Sequence, residues 1–271
     1  MANSPTTRPC AMITGASSGI GAAFAERLAR DNYELIVVAR RVGRLQALAQ
    51  VLKAKYQASV EVLAADLSDP TQLKSVEQRL AHDSGIELLI NNAGFGGYQP
   101  FVNLDPNKAD ELIRLQVTAV TRLTRAVLPQ MISRGSGAII NVSSRLAFSG
   151  SLSAPSLPKR AVYAGTKAYI NAFTQILHSE LVGTGVKVQA LCPGVVRTEF
   201  HERMGMDSSR IPVSMVMKPE DVVQASLAGL RLGEVICIPG LEDSSLLDQV
   251  HQSETRLWDR SSGGALVERY T

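Results

Sequence analysis

Thr14-Gly15-Ala16-Ser17-Ser18-Gly19-Ile20-Gly21 decides the fold of this 271-residue chain. It follows an apolar run, Cys10-Ala11-Met12-Ile13, and opens a helical pattern over Ala22 to Arg30, so it reads as a strand, a tight turn and a helix N-terminus. Gly15 permits the turn, Gly19 lets the backbone approach a pyrophosphate, and Gly21 lets the helix pack on the strand. The free amides and positive dipole end of such a helix favour an anion. The spacing differs from the commoner G-x-G-x-x-G fingerprint.

Outward from this turn the chain alternates. A strand is expected at Glu34–Ala39, a helix at Val42–Tyr56, a strand at Val60–Ala64 and a helix at Pro70–Ala81. Three further apolar strands each end in a distinctive group: Leu88-Leu89-Ile90 in Asn91-Asn92-Ala93-Gly94, Ala138–Val142 in Ser143-Ser144, and Val186–Cys192 in Pro193-Gly194. In an open parallel sheet, the carboxyl ends of the strands border the ligand crevice. Asp105 and Pro106 form an N-cap and first-turn proline for one long helix, with Leu112, Val117, Val120, Leu123 and Val127 at helical spacing. Lys218-Pro219-Glu220-Asp221 opens another helix, and Val235–Pro239 makes a last strand. With no linker or repeat, residues 1–271 read as a single α/β domain.

Tyr163 and Lys167 stand four residues apart on a helix and share a face. An ammonium beside a phenol favours phenolate and pulls the pKa from about 10 toward neutrality, which suits a proton donor to a ketone oxygen.

In this order, these five motifs resemble the short-chain dehydrogenase/reductase family in its single-domain branch, from Cys10 to Pro239. The resemblance implies a doubly wound Rossmann-type parallel sheet with the catalytic site in the same domain. It implies that Thr14, Gly15, Ser17, Ser18, Gly19, Ile20 and Gly21 hold the adenosine end and pyrophosphate of a nicotinamide cofactor. Asp66 and Leu67 would lie near the adenine, and Asn92, Ala93 and Gly94 near its ribose. Pro193, Gly194, Val196 and Thr198 would hold the carboxamide. Tyr163 is implied as general acid, Lys167 as its tuner and an anchor for the nicotinamide ribose, and Ser144 as the hydroxyl that polarises the carbonyl, with Ser143 as the fallback. Gln116 stands where the family commonly has an asparagine that holds a relay water, which puts that relay in question. A homodimer or homotetramer is also implied.

Cofactor choice is read at the end of the second strand, Val38-Ala39-Arg40-Arg41. Ala39 replaces the acid that would repel a 2′-phosphate, and the Arg40 guanidinium can pair with one, so NADPH/NADP is expected. Arg41 and Arg44 read as a solvated helix face. The function expected is an NADPH-dependent carbonyl reductase or alcohol dehydrogenase acting on a ketone or aldehyde, with a small-molecule carbonyl or alcohol as partner. The alternative is a dinucleotide-binding regulatory protein with little turnover, for which Gln116 is the sequence support.

Composition bounds the rest. The net charge of +3 is scattered, so neither nucleic acid nor a membrane is an expected partner. The polar segment from Met1 to Arg8 has no apolar signal core, and a cytoplasmic protein is expected. Three cysteines in core strands and four dispersed histidines give no metal spacing, so no metal is expected. Two segments stay open. Between Ser144 and Tyr163, Leu146, Phe148, Leu152 and Leu157 either wall a substrate pocket or sit on a tolerated surface loop that also carries Pro155. Met204, Met206, Met215 and Met217 lie either on a flap over a hydrophobic substrate or in the core.

Overall fold

The computed structural model describes residues 8–83, 85–154, 157–202 and 211–271. Pro155, Met204 and Met206 therefore lie outside the described residues.

Apolar β-branched runs build a seven-stranded sheet of β1 (Cys10–Thr14), β2 (Glu34–Ala39), β3 (Val60–Ala64), β4 (Ile86–Asn91), β5 (Gly137–Val142), β6 (Val186–Leu191) and β9 (Ile236–Cys237). Every pair is parallel, in the order β3-β2-β1-β4-β5-β6-β9. Side chains alternate between the faces, as period-two geometry requires. Ala11, Ile13, Leu35, Val37, Leu88 and Ile90 face one core, with Phe24 and Leu28 of α1 (Gly19–Arg30), Leu45 and Leu52 of α2 (Val42–Tyr56), and Val222 and Leu227 of α8 (Pro219–Leu232). Met12, Ile36, Val38, Leu89 and Ile139 face the other, with Leu73 and Val76 of α3 (Pro70–Ala81), Leu123, Val127 and Met131 of α5 (Ala119–Arg134), and Leu177 of α6 (Ala161–Glu180). The chain is doubly wound, and its direction of winding reverses between β1 and β4.

The expected bounds of β1, β2, α2, β3 and α3 agree with the structure. The caps explain two helix starts. Asp69 accepts from the amides of Thr71 and Gln72 ahead of α3, and Asp105 accepts from that of Asn107 ahead of α4 (Pro106–Ile113), each beside a first-turn proline. The single long helix expected from Pro106 is corrected. A wider π-turn, Arg114–Thr118, separates α4 from α5, and Gln116 rather than Val117 takes the inward position. Short strands β7 (Val195–Val196) and β8 (Val216–Met217) pair beside the main sheet, with α7 (Glu199–Glu202) between them in sequence.

The described chain groups into two compact units, Met1–Pro239 and Gly240–Thr271. The second holds α9 (Ser245–Ser261), a helix absent from the sequence reading. Among the described residues, no helix is long and apolar enough to cross a membrane.

Gly21 shows how closely α1 sits on the turn. A Cβ there would lie 2.5 Å from the Gly15 carbonyl oxygen and 2.5 Å from Asn92 Nδ2, inside any real contact. Gly21→Ala is expected to lower stability by about 1 to 3 kcal/mol, the usual cost of overpacking. The urea unfolding midpoint reads this directly, and an unchanged midpoint would contradict it.

Candidate active site

The carboxyl ends of β1, β4, β5 and β6 open into a cavity of about 800 Å³. Its wall includes Gly15, Ser17, Ser18, Gly19, Ile20, Arg40, Asp66, Leu67, Asn92, Ala93, Gly94, Gln116, Ser144, Tyr163, Lys167, Pro193, Gly194, Val196 and Thr198. Residues separated by more than 170 positions thus meet at one sheet edge. Thr14 and Gly21 lie behind the wall, and their part is structural. Thr14 Oγ1 donates to the Ile90 carbonyl at 3.2 Å and accepts from the amides of Asn92 at 2.9 Å and Ala93 at 3.0 Å. Asn92 Nδ2 returns a bond to the Thr14 carbonyl at 2.9 Å. Gly15, at φ +68°, turns away through a conformation that side-chain-bearing residues rarely adopt.

At the glycine-turn end, both arginines that follow β2 border the cavity. The Arg40 side chain is 56% exposed, 3.5 Å from Asp66 and 3.4 Å from Glu111. Arg41 is no solvated helix residue. Its Nη2 donates to Ser17 Oγ at 2.9 Å and Ser18 Oγ at 3.0 Å, laying the guanidinium across the glycine turn. Glu199 of α7 pairs with it at 3.0 Å and also holds Arg44.

At the other end, β5 and α6 bring Ser144, Tyr163 and Lys167 to the cavity wall. Ser143 turns inward, and its Oγ donates to the Lys167 carbonyl at 3.0 Å. Ser144 faces the Tyr163 phenol and accepts from the Leu146 amide at 3.1 Å, and both serines border the cavity. Lys167 Nζ donates to the Val142 carbonyl at 2.8 Å and lies 5.6 Å from the centroid of the Tyr163 ring.

Burial dominates both titrations. The Tyr163 phenol is pushed up to about 12 by loss of water, with the hydroxyls of Ser144 and Tyr98 pulling the other way. Burial pushes the Lys167 ammonium down to about 7, opposed by the neighbouring Cys192. The expectation that the Lys167 ammonium draws the phenol toward neutrality is corrected: in the folded chain desolvation is the largest effect on each group.

Gln116 is fully buried and both ends of its amide are used. Nε2 donates to the Phe95 carbonyl at 2.6 Å, and Oε1 accepts from Thr166 Oγ1 at 3.1 Å. It fastens the loop after β4 to α6. That loop brings Tyr98, which the sequence reading missed, onto Tyr163 with ring centroids 5.1 Å apart. Phe200 joins them at 6.0 Å from Tyr163. Of the open segments, Leu146, Leu157 and Met215 line the cavity, whereas Phe148 and Leu152 are exposed and Met217 packs against the core. Among the described residues, no group of ligating side chains suits a metal ion.

A family model for short chain dehydrogenases matches residues 9–208, and the chain belongs to that family. A short-chain dehydrogenase from Sphingobium yanoikuyae, solved in complex with NADPH, is similar at 39% identity and TM-score 0.90, over 97% of this chain and 100% of that one. The bulky-bulky ketone specific alcohol dehydrogenase from Comamonas testosteroni is similar at 35% identity and TM-score 0.87, over 98% and 99%. A relative from Schizosaccharomyces pombe, an NADP-dependent 3-hydroxy acid dehydrogenase, is 33% identical over 84% of this chain and 88% of its own.

The buried lysine yields a signed prediction. Below about pH 7, Lys167 is charged in both the folded and unfolded chains and its burial cost is greatest. Between about 7 and the free value of 10.5, the folded chain sheds a proton that the unfolded chain keeps, and the cost falls away. Lys167→Met should therefore gain stability over the native protein most at about pH 6 and progressively less toward about pH 10. Thermal melts at the two extremes check this, and a gain that grows with pH would contradict it.

Proposed function

We propose that the protein is an NADPH-dependent carbonyl reductase, reversible as an alcohol dehydrogenase, acting on a hydrophobic ketone or aldehyde. The observation that carries this reading is the convergence of Ser144, Tyr163 and Lys167 on a cavity whose far end is a glycine turn crossed by Arg41. The turn fits a dinucleotide. Gly15 and Gly21 leave no room for a Cβ against Asn92 and the turn itself, which holds the start of α1 close on β1, and the amides there suit a pyrophosphate. Arg41, and Arg40 released from its exposed and weak pairs, offer forked donors to a 2′-phosphate. When bound, NADPH supplies the hydride.

The rest of the chemistry belongs to the chain. Ser144 and Tyr163 present two hydroxyls to a carbonyl oxygen, so charge developing there meets donors already in place. Tyr163, pushed up by burial, holds its proton at neutral pH and gives it to that oxygen. Lys167, anchored to the Val142 carbonyl, sets a positive charge close to the phenol ring when protonated, and in that form supports the reverse, phenolate-dependent direction. Leu104, Leu115, Leu146, Leu157, Phe200 and Met215 exclude water and favour apolar substituents on the substrate. The likeness to the Comamonas enzyme supports a ketone that is bulky on both sides. The regulatory alternative drew on Gln116, whose amide is fully engaged in building the site, and the complete Ser144-Tyr163-Lys167 set argues against it. The same reading includes a homodimer or homotetramer, supported by the apolar side chains of Ile132 and Ile176 that α5 and α6 leave exposed.

Loss of NADPH absorbance with a panel of hydrophobic ketones tests the reading, and no turnover with any of them would count against it. Tyr163→Phe should keep NADPH binding while turnover falls by about 10² to 10⁴, the usual worth of a positioned acid. Near-normal turnover in that variant would remove Tyr163 from its role. NADPH should be preferred to NADH by about tenfold to a hundredfold, the worth of charge-assisted bonds to one phosphate, and Arg41→Ala should erase most of that preference. Equal efficiency with both cofactors in the native protein would refute the assignment.

A further inference from the structure

We infer that Tyr98 is a positioning residue for the reaction, a second phenol whose hydroxyl donates to the Tyr163 oxygen and stabilises its phenolate. The inference rests on the proposed role of Tyr163 and adds to the Ser144-Tyr163-Lys167 set a group from a different element, the loop after β4.

Three observations place Tyr98 there. Its ring meets that of Tyr163 edge-on, with centroids 5.1 Å apart and planes at 84°. Phe200 closes the third side, 6.4 Å from Tyr98 and 6.0 Å from Tyr163, so the two phenols share an apolar enclosure where a hydrogen bond is stronger than in water. The loop is pinned on both sides of Gly96. Gln116 Nε2 holds the Phe95 carbonyl at 2.6 Å, and Gly97 lies so close to α4 that a Cβ would fall 2.5 Å from Leu112 Cδ1. Tyr98 is thus delivered by backbone contacts rather than by its own flexibility.

The direction of donation follows from which phenol keeps its proton. Burial and the neighbouring Tyr163 push Tyr98 above the ordinary phenol range, and an ionised Tyr163 oxygen can only accept. The hydroxyl of Tyr98 acts on Tyr163 in the opposite sense and favours its ionised form. Tyr98 therefore remains a donor when Tyr163 ionises. The ionisable groups that face Tyr163 are Tyr98 from this loop and Lys167 from α6, the latter with Cys192 behind it, while Ser144 adds a neutral hydroxyl from the end of β5. Lys167 spends a bond on the Val142 carbonyl, so Tyr98 and Ser144 are the hydroxyl groups that speak to the phenol directly.

Tyr98→Phe keeps the ring contact and removes only the donor. Alcohol oxidation needs Tyr163 ionised, so its kcat/KM rises with pH along a limb set by that phenol. Loss of the donor should move this limb up by about 0.5 to 1 pH unit and lower kcat/KM about threefold to tenfold at neutral pH, with convergence on the native value at high pH. A variant profile that is superimposable, or lowered equally at every pH, would overturn the inference, because a packing role alone moves no limb. A second readout needs no turnover. The ring-Cζ NMR resonance of labelled Tyr163, assigned with Tyr163→Phe, should shift in Tyr98→Phe at neutral pH, and an unmoved resonance would also overturn it. If the native protein reduces no ketone, the proposed activity fails while this resonance still decides the contact.

Discussion

The site depends on a clasp between two strand ends. Thr14 at the end of β1 and Asn92 just beyond β4 exchange side-chain and backbone hydrogen bonds, two amides and one carbonyl meeting at Thr14 Oγ1. These bonds are buried or half-buried, where an unpaired partner would cost most. They fix the gap at which the winding of the sheet reverses, and a doubly wound sheet opens its ligand crevice at that gap. The glycine turn follows from the same clasp. With Asn92 Nδ2 also 3.3 Å from the Gly15 carbonyl, neither Gly15 nor Gly21 can carry a side chain.

From that edge the two ends of the cavity are built by opposite electrostatic means. The glycine-turn end gathers positive potential in half-exposed groups, the start of α1 and Arg41, with Glu199 offsetting part of the charge. The reacting end uses burial. A phenol raised to about 12 and a lysine lowered to about 7 sit on one helix face, each kept from water, and their charges respond strongly to whatever enters. Such paired, oppositely displaced groups are what acid–base chemistry at one carbonyl requires.

Much of this was legible in the residues. Alternating apolar runs and Asp-Pro starts located β1 to β3, α2 and α3, because local pattern and tertiary burial agree there. The strand-end groups were found for the same reason, since a parallel sheet brings them to one edge whatever the loops do. The π-turn at Gln116 was hidden because Leu112, Val120 and Leu123 keep helical spacing on either side of it, and a residue set inward by a wider turn leaves no mark on period. The contact of Arg41 with the glycine turn was not legible because its direction depends on the first turn of α2. Arg41 sits just before that helix at φ −89° and ψ 82°, and reaches back to Ser17. Tyr98 lies in a loop with no periodicity, and its place is set by Gln116, 18 positions later. The spacing of Leu246, Leu247, Val250, Leu257 and Trp258 did carry α9, beyond the segment that the family motifs cover.

We propose the carboxyl edge of the sheet between β1 and β4 as the dinucleotide site. Amide hydrogen exchange with and without NADPH tests it most directly. Protection is expected in the glycine turn and early α1, in residues 92–97 and in residues 193–198, with little change along β3 or α3. Unchanged exchange in the glycine turn, under saturating NADPH, would contradict it.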